Sequence, residues 1–231
     1  MKKNKLQRFR ELDTFPNAIP FFYADFVNRN FRLKGSWSAE IFKNNNPITL
    51  ELGCGKGEYS FNLAREFPAR NFIGVDVKGN RMWVGARKGL EENLGNLFFL
   101  RTRIDFIEEI FGPGEVSEIW ITFPDPQKER PRKRLTHPLF LNRYKKILRN
   151  GGAIHLKTDS AILYEYTLGI IEKLNLEIKD FSFYIYNDTR RRPWVEDIKT
   201  FYESIYLSEG VPIKFISFSL DRLPAQNPAE D

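Results

Sequence analysis

The sequence predicts an α/β fold, a mostly parallel sheet with helices packed on both faces. Two patterns carry this reading. From residue 47 onward, short β-branched or apolar runs alternate with segments of helical spacing. The first of these runs ends in a glycine-rich turn that opens a helix, the arrangement of a nucleotide-binding crevice.

The elements follow in order. Ile48 to Leu52 is the first strand. Glu58 to Phe67 has apolar residues at Phe61, Leu63, Ala64 and Phe67, a helical spacing ended by Pro68. Asn71 to Val75 is the second strand, Gly79 to Asn93 a helix, and Leu97 to Leu100 the third strand. Ile104 to Phe111 is a short helix stopped by Gly112-Pro113-Gly114. Glu118 to Phe123 is the fourth strand. Pro138 to Arg149 is a helix capped by Asn150-Gly151-Gly152, and Ala153 to Lys157 is the fifth strand. A helix runs from after Ser160 to about Leu174. Lys179 to Tyr186 and Pro212 to Leu220 are β-rich, which brings the sheet to seven strands, and Val195 to Leu207 between them reads as a helix.

Residues 1–45 lack this regularity and read as a basic N-terminal extension, with a short helix near Ser38 to Phe42. Residues 46–221 are expected to form one α/β domain. Residues 222–231 carry Pro224 and Pro228 and read as a loose tail.

Composition excludes several classes. The chain has 231 residues, 42% hydrophobic and 29% charged, which suits one globular core. One cysteine and two histidines leave no internal disulfide and little for a soft-metal site, so no metal is expected. No apolar run has the length of a membrane span, and no secretory h-region follows the basic start, so a cytoplasmic protein without a membrane partner is expected.

The net charge is +6, from 36 Lys and Arg against 30 Asp and Glu, and its distribution is uneven. Lys2 to Arg10 holds five basic residues and no acid. Lys128 to Arg149 holds nine basic residues and only Glu129 in opposition. Arg190-Arg191-Arg192 is a third cluster. Such clusters beside chemistry-bearing loops point to a polyanion.

In this fold class, ligands bind beyond the carboxyl ends of the strands. The first such loop holds Gly53, Gly55 and Gly57, a G-x-G-x-G spacing rather than the dinucleotide G-x-G-x-x-G. Glu51 precedes it and Glu58 opens the following helix. Acids there oppose a pyrophosphate and suit a cationic ligand. Asp76 ends the second strand, placed to accept ribose hydroxyls. A ribose-bearing, phosphate-free, cationic cofactor describes S-adenosylmethionine. After the fourth strand, Pro124 and Pro126 stiffen the backbone around Asp125. Arg130, Arg132, Lys133 and Arg134 then follow, spaced to engage a phosphate chain.

With these motifs in place, the chain resembles the tRNA (guanine-N7-)-methyltransferase family of class I, Rossmann-like, S-adenosylmethionine-dependent enzymes. The resemblance rests on Leu50 to Gly57, Ile73 to Asp76, Phe123 to Pro126 with the basic run to Leu135, Leu156 to Asp159, and Thr200 to Glu203. It implies methyl transfer to N7 of a guanine in the variable loop of tRNA. It implies that Glu51, Asp76 and the three glycines serve the cofactor. Asp125 would sit at the reaction centre and contact cofactor, Lys128 would face tRNA, and Asp159, Thr200 and Glu203 would hold the guanosine. The family commonly places Asp or Asn near the cofactor adenine. Here that position falls on Arg103, with Asp105 two residues on, and both are candidates.

N7 of guanine carries no proton, so this reaction needs positioning and electrostatics rather than a general base. Lys2 to Arg10 and Arg190, Arg191 and Arg192 are expected to grip the tRNA backbone, and Trp194 is a candidate stacking residue. His137 and His155 read as structural. The chain is expected to act as a monomer or homodimer. Competing readings are a methyltransferase with another nucleobase or protein target, and a catalytically silent RNA-binding module of the same fold.

Overall fold

The computed structural model describes residues 4–21, 23–27 and 31–224. Its strands are β1 (Ala18–Pro20), β2 (Ile48–Leu52), β3 (Asn71–Asp76), β4 (Leu97–Arg101), β5 (Val116–Thr122), β6 (Leu148–Thr158), β7 (Glu177–Ser182) and β8 (Lys214–Ser219). They form one sheet in the order β1-β4-β3-β2-β5-β6-β8-β7. β8 runs antiparallel to both of its neighbours, and the other pairings are parallel.

The helices are α1 (Lys5–Leu12), α2 (Tyr23–Val27), α3 (Glu58–Glu66), α4 (Gly79–Glu91), α5 (Ile107–Ile110), α6 (Pro138–Ile147), α7 (Ala161–Lys173), α8 (Pro193–Glu196) and α9 (Phe201–Ser208). None of the described helices is long and apolar enough to cross a membrane.

Every residue of β2 is buried, as a central strand covered on both faces requires. Alternation along the strands then sorts side chains into two layers. Ile73, Ile119, Ile121 and Ile154 pack with Leu141 and Tyr144 of α6 and Leu163 of α7. Phe72, Trp120 and Phe215 pack on the opposite face with Tyr59 and Leu63 of α3 and Met82 of α4. The result is a three-layer α/β/α arrangement, as the alternating pattern predicts.

The sheet has eight strands, one more than the periodicity counts. The additional strand is β1, whose three residues pair with Phe99, Leu100 and Arg101 of β4. A run that short, ending in Pro20, carries no alternation to read. The N-terminal segment is fastened elsewhere too. Trp37 starts a π-helical turn, Trp37–Phe42, and is fully buried. Its ring stacks on Phe111 at 5.1 Å, and its indole N–H donates to the Ile110 carbonyl at 3.1 Å. The Glu115 carboxylate accepts the backbone N–H groups of Gly35, Trp37 and Gly112 at 2.7–2.9 Å. One acid thereby closes two chain segments onto each other.

The helix expected over Val195–Leu207 is interrupted. α8 ends at Glu196 and α9 begins at Phe201. The carbonyls of Val195 and Ile198 turn to accept from Lys157 Nζ instead of continuing the helix. Thr200 starts α9 afresh, with a capping box to Glu203. β7 also stops at Ser182, short of the Tyr186 expected, and Ile185–Asn187 form a 3-10 turn. At the C-terminus Leu223 is buried in the core, and residues 225–231 of the expected tail lie outside the described residues.

Candidate active site

From β2 the chain adds β3 and β4 on one side, then crosses to add β5 and β6 on the other. The order therefore reverses beside β2, and the crevice at that switch point is the expected ligand site. A cleft of about 460 Å³ lies there. Its walls come from the turn after β2, from Asp76 to Lys78 after β3, and from Thr122 to Gln127 after β5.

The glycine turn is dictated by backbone geometry. Gly53, Gly55 and Gly57 have φ of 79°, 56° and 69°, a region that costs other residues. A Cβ built on Gly53 or Gly55 meets nothing within 4 Å, so bare backbone faces the open cleft. A Cβ on Gly57 would lie 2.4 Å from the Phe99 ring, so that glycine serves packing. The turn is tied to β3 by bonds from the Gly53 and Cys54 N–H groups to the Val75 carbonyl.

Asp76 reaches the same turn. One carboxylate oxygen accepts from the Gly55 N–H and the other from the Lys78 N–H, each at 2.8 Å. A carboxylate has about four acceptor sites, so each oxygen can take one bond more. That capacity suits a pair of ribose hydroxyls.

Glu51 lies deeper, 4% exposed, at the floor of the cleft. Its carboxylate accepts from the Ser60 N–H at 2.9 Å, from the Ser60 hydroxyl, and from the Thr122 hydroxyl at 2.6 Å. Burial raises its pKa from 4.5 to about 7 against the lowering effect of these bonds, and the charge of Asp76 adds to the rise.

The Asp125 loop is stiff on both sides. Phe123 and Gln127 each have φ of 48°, with Pro124 and Pro126 between them. The Phe123 N–H donates to the Lys157 carbonyl at 2.8 Å, and Asp125 itself accepts the Gln127 N–H at 3.0 Å. Asp125 is exposed at the cleft wall.

The basic run divides by direction. Lys133 lines the cleft, while Lys128, Arg130 and Arg132 are exposed outside its lining. Arg134 corrects the expectation of a phosphate contact. It is 6% exposed, its Nε donates to the Pro126 carbonyl at 3.0 Å, and its guanidinium lies 4.4 Å over the Tyr166 ring. Its place is under the Asp125 loop, holding it. Arg192 is corrected likewise: it is 5% exposed, with its guanidinium on Asp180 and Asp188. Arg190 and Arg191 are exposed, on Asp180 and Asp197 respectively. Lys5 and Arg10 of the N-terminal cluster are exposed, Arg8 lies 4.8 Å over Trp83, and Lys2 and Lys3 lie outside the described residues.

The residues expected to hold guanosine separate as well. Thr200 lines the cleft, and its hydroxyl accepts the Glu203 N–H at 3.2 Å. Glu203 is fully buried against Lys157 and Tyr186, so its carboxylate does not face the cleft. Asp159 is half-buried outside the lining, where its carbonyl accepts from Lys214 Nζ. Arg103 is exposed and paired with Asp105 at 3.2 Å, and Ile104 between them is the residue that enters the cleft. His137 caps α6 through Nδ1, and His155 lies within β6.

Sequence reasoning missed Ile104, Lys56 and Tyr202 as lining residues. Lys56 sits inside the glycine spacing and Tyr202 inside the Thr200–Glu203 segment, so each lay within a motif already marked. Lys56 Nζ lies 4.3 Å over the Phe201 ring, and Glu58 accepts the Phe201 N–H at 3.0 Å. The glycine turn is thereby latched to the start of α9. Among the described residues, no group of three or more His, Cys, Asp or Glu could hold a metal ion.

A strand-end cleft with a bare glycine turn and two flanking carboxylates defines a class: the α/β methyltransferases. A family model described as "Putative methyltransferase" matches residues 45–215. A solved "Antibiotic Related Methyltransferase" superposes with a TM-score of 0.60 at 16% identity, covering 82% of this chain and 94% of its own, which shows the shared fold. A tRNA (guanine-N(7)-)-methyltransferase of Christiangramia forsetii is 50% identical over 94% of this chain and 98% of its own. One of Bacteroides fragilis is 47% identical over 95% of this chain and 87% of its own. The chain belongs to the tRNA (guanine-N7-)-methyltransferase family.

Proposed function

We propose that this chain transfers a methyl group from S-adenosylmethionine to N7 of a guanine in the variable loop of tRNA. One observation carries the reading: a single cleft joins the bare glycine turn, the acceptors Glu51 and Asp76, and the stiff Asp125 loop. The residues present fit this cofactor. Gly53 and Gly55 leave room for close approach, Asp76 has free acceptor capacity for ribose hydroxyls, and Ile104 offers apolar contact for an adenine face. When bound, S-adenosylmethionine supplies a methyl group on a positively charged sulfur.

The chain's own residues then have three tasks. Glu51, its carboxyl pushed up to about 7 by burial, gains its negative charge at the floor of the cleft when a cationic ligand lies beside it. Asp125 is proposed to stand beside the target base. There its carboxylate accepts the N–H groups of guanine's pairing edge or offsets the positive charge that N7 alkylation creates. The prolines and Arg134 fix Asp125 before substrate arrives, which is the preorganisation such electrostatic catalysis requires. The exposed bases Lys128, Arg130 and Arg132 flank this loop and supply a track for the phosphate backbone. A guanine engaged in tertiary pairing must be exposed first, as base-modifying enzymes require.

The test is incubation of the purified chain with unmodified tRNA and methyl-labelled S-adenosylmethionine, followed by nucleoside analysis. Label in 7-methylguanosine, reduced about 100-fold or more in Asp125→Ala, is the expected result. Label in any other nucleoside overturns the target, and no label on any tRNA overturns the activity.

A further inference from the structure

S-adenosylmethionine ends in an amino acid, so an ammonium and a carboxylate accompany its sulfonium. Glu51 and Asp76 answer the positive charge and the ribose. The carboxylate still needs a donor.

The backbone of the glycine turn offers it little. A phosphate-binding turn aims free N–H groups at its anion. Here four of the five N–H groups from Gly53 to Gly57 are bonded within the protein. Gly53 and Cys54 donate to the Val75 carbonyl, Gly55 to Asp76 and Gly57 to the Cys54 carbonyl. In the helix that follows, Glu51 takes the Ser60 N–H. A side-chain cation is the donor that remains.

Four cations line the cleft: Lys56, Lys78, Arg81 and Lys133. Sheet order sorts them. The neighbouring strands β4, β3, β2 and β5 bring Ile104, Asp76, the glycine turn and the Asp125 loop to the cleft in that sequence. With adenine on Ile104 and ribose on Asp76, the amino-acid end falls beside the turn after β2. Lys78 and Arg81 follow Asp76, on the ribose side, and are exposed. Lys133 is exposed in the basic run that continues from the Asp125 loop. Lys56 stands inside the turn itself, between Gly55 and Gly57. It is half-buried, so solvent screens its charge less than that of the other three.

The surroundings leave that charge available. Lys56 Nζ lies 4.3 Å over the Phe201 ring and pairs with no carboxylate among the described residues. Glu58, two residues on, is turned to the Phe201 N–H at 3.0 Å. Glu51 Oε1 accepts from the Thr122 hydroxyl at 2.6 Å, and a carboxylate oxygen has room for a second donor. An acid and a base thus border the same turn, which complements a zwitterion.

Given the cofactor cleft proposed above, we infer that Lys56 is a specificity residue that binds the carboxylate of the cofactor's amino-acid end, while Glu51 takes the ammonium. Lys56 then selects ligands that carry an intact amino acid over those that have lost the carboxyl group.

The test compares two ligands that differ in that group alone, S-adenosylmethionine and decarboxylated S-adenosylmethionine. Calorimetric titration gives both affinities for wild type, Lys56→Met, Lys133→Met and Phe201→Leu, with thermal unfolding as the check of fold. Methionine keeps most of the apolar stem and removes the charge. Lys56→Met is expected to lose about tenfold or more in affinity for S-adenosylmethionine and nothing for the decarboxylated ligand. Lys133→Met and Phe201→Leu are expected to change both affinities by the same factor. Equal loss of both ligands in Lys56→Met makes Lys56 a latch that holds the turn on α9 through Phe201, and overturns the inference. Loss of neither ligand overturns it too, as does a selective loss in Lys133→Met instead of Lys56→Met. Wild type that binds neither ligand refutes the cofactor cleft and the inference with it. Wild type that binds S-adenosylmethionine but methylates no tRNA refutes the proposed activity alone, and the two-ligand comparison still decides Lys56.

Discussion

Lys157 and Glu203 meet at 2.7 Å with both side chains fully buried. The pair joins β6 to α9, whose start brings Thr200 and Tyr202 to the cleft. Lys157 Nζ also donates to the Val195 and Ile198 carbonyls, and Tyr186 donates to Glu203 at 2.7 Å. Burial lowers the Lys157 pKa, and Glu203 works against that shift.

Removing one partner leaves the other charge buried and unpaired, at a cost of about 3–5 kcal/mol. Glu203→Gln and Lys157→Met are each expected to lose that much in urea unfolding. The double variant should lose clearly less than the sum, with a coupling of about 1–3 kcal/mol. A Glu203 that instead touched guanosine would raise KM with stability unchanged.

Glu51 gives a pH signature. Its pKa is about 7 in the folded chain and near 4.5 when exposed. Below pH 4.5 the carboxyl is protonated in both states and costs nothing. As pH rises from 4.5 to 7 the unfolded chain releases its proton first, so folded stability falls. By pH 8 the loss is nearly complete, at most about 3–4 kcal/mol for a shift of this size. Glu51→Gln should remove that slope, becoming more stable than wild type at pH 8 but not at pH 4. It should also bind S-adenosylmethionine at least tenfold more weakly. Chemical denaturation at the two pH values and calorimetric titration of the cofactor check both halves.

These residues show what could be read from sequence. Glu51, Gly53 and Asp76 were legible because short-range spacing after a strand fixes where they go, and strand order brings their loops together. Lys157 and Glu203 lie far apart in the chain, so their pairing depends on tertiary packing. Arg132 and Arg134 look alike in sequence. The 3-10 turn over Pro131–Lys133 directs Arg134 inward while Arg132 stays in solvent. β1 escaped notice because three residues ending in proline present no period.

The glycine turn allows folding and ligand roles to be separated. Gly57→Ala combines a φ of 69° with a Cβ placed 2.4 Å from the Phe99 ring. Backbone strain and overpacking together should cost about 2–5 kcal/mol. Gly53→Ala carries similar strain at φ 79° but no clash within 4 Å, so about 1–2 kcal/mol is expected. Its added methyl group projects toward the cleft, however, so cofactor affinity should fall at least tenfold. Unfolding midpoints and cofactor titration on both variants make the comparison.

The basic run separates in the same manner, by salt dependence. Lys128, Arg130 and Arg132 are exposed, and each phosphate contact released should lower the salt slope of tRNA affinity by about one unit. Alanine at any one of them is therefore expected to weaken binding at low salt and flatten the slope. Arg134 is buried and bonded to the Pro126 carbonyl, so it has no phosphate to release. Arg134→Lys keeps the charge but replaces a planar group stacked on Tyr166 with a point charge on a flexible stem. The Asp125 loop then loses its support from below. The expected result is an unchanged salt slope and nearly unchanged tRNA affinity, with kcat reduced about tenfold or more because Asp125 is no longer held in place. Binding isotherms at several salt concentrations, paired with single-turnover methylation, distinguish the two kinds of arginine.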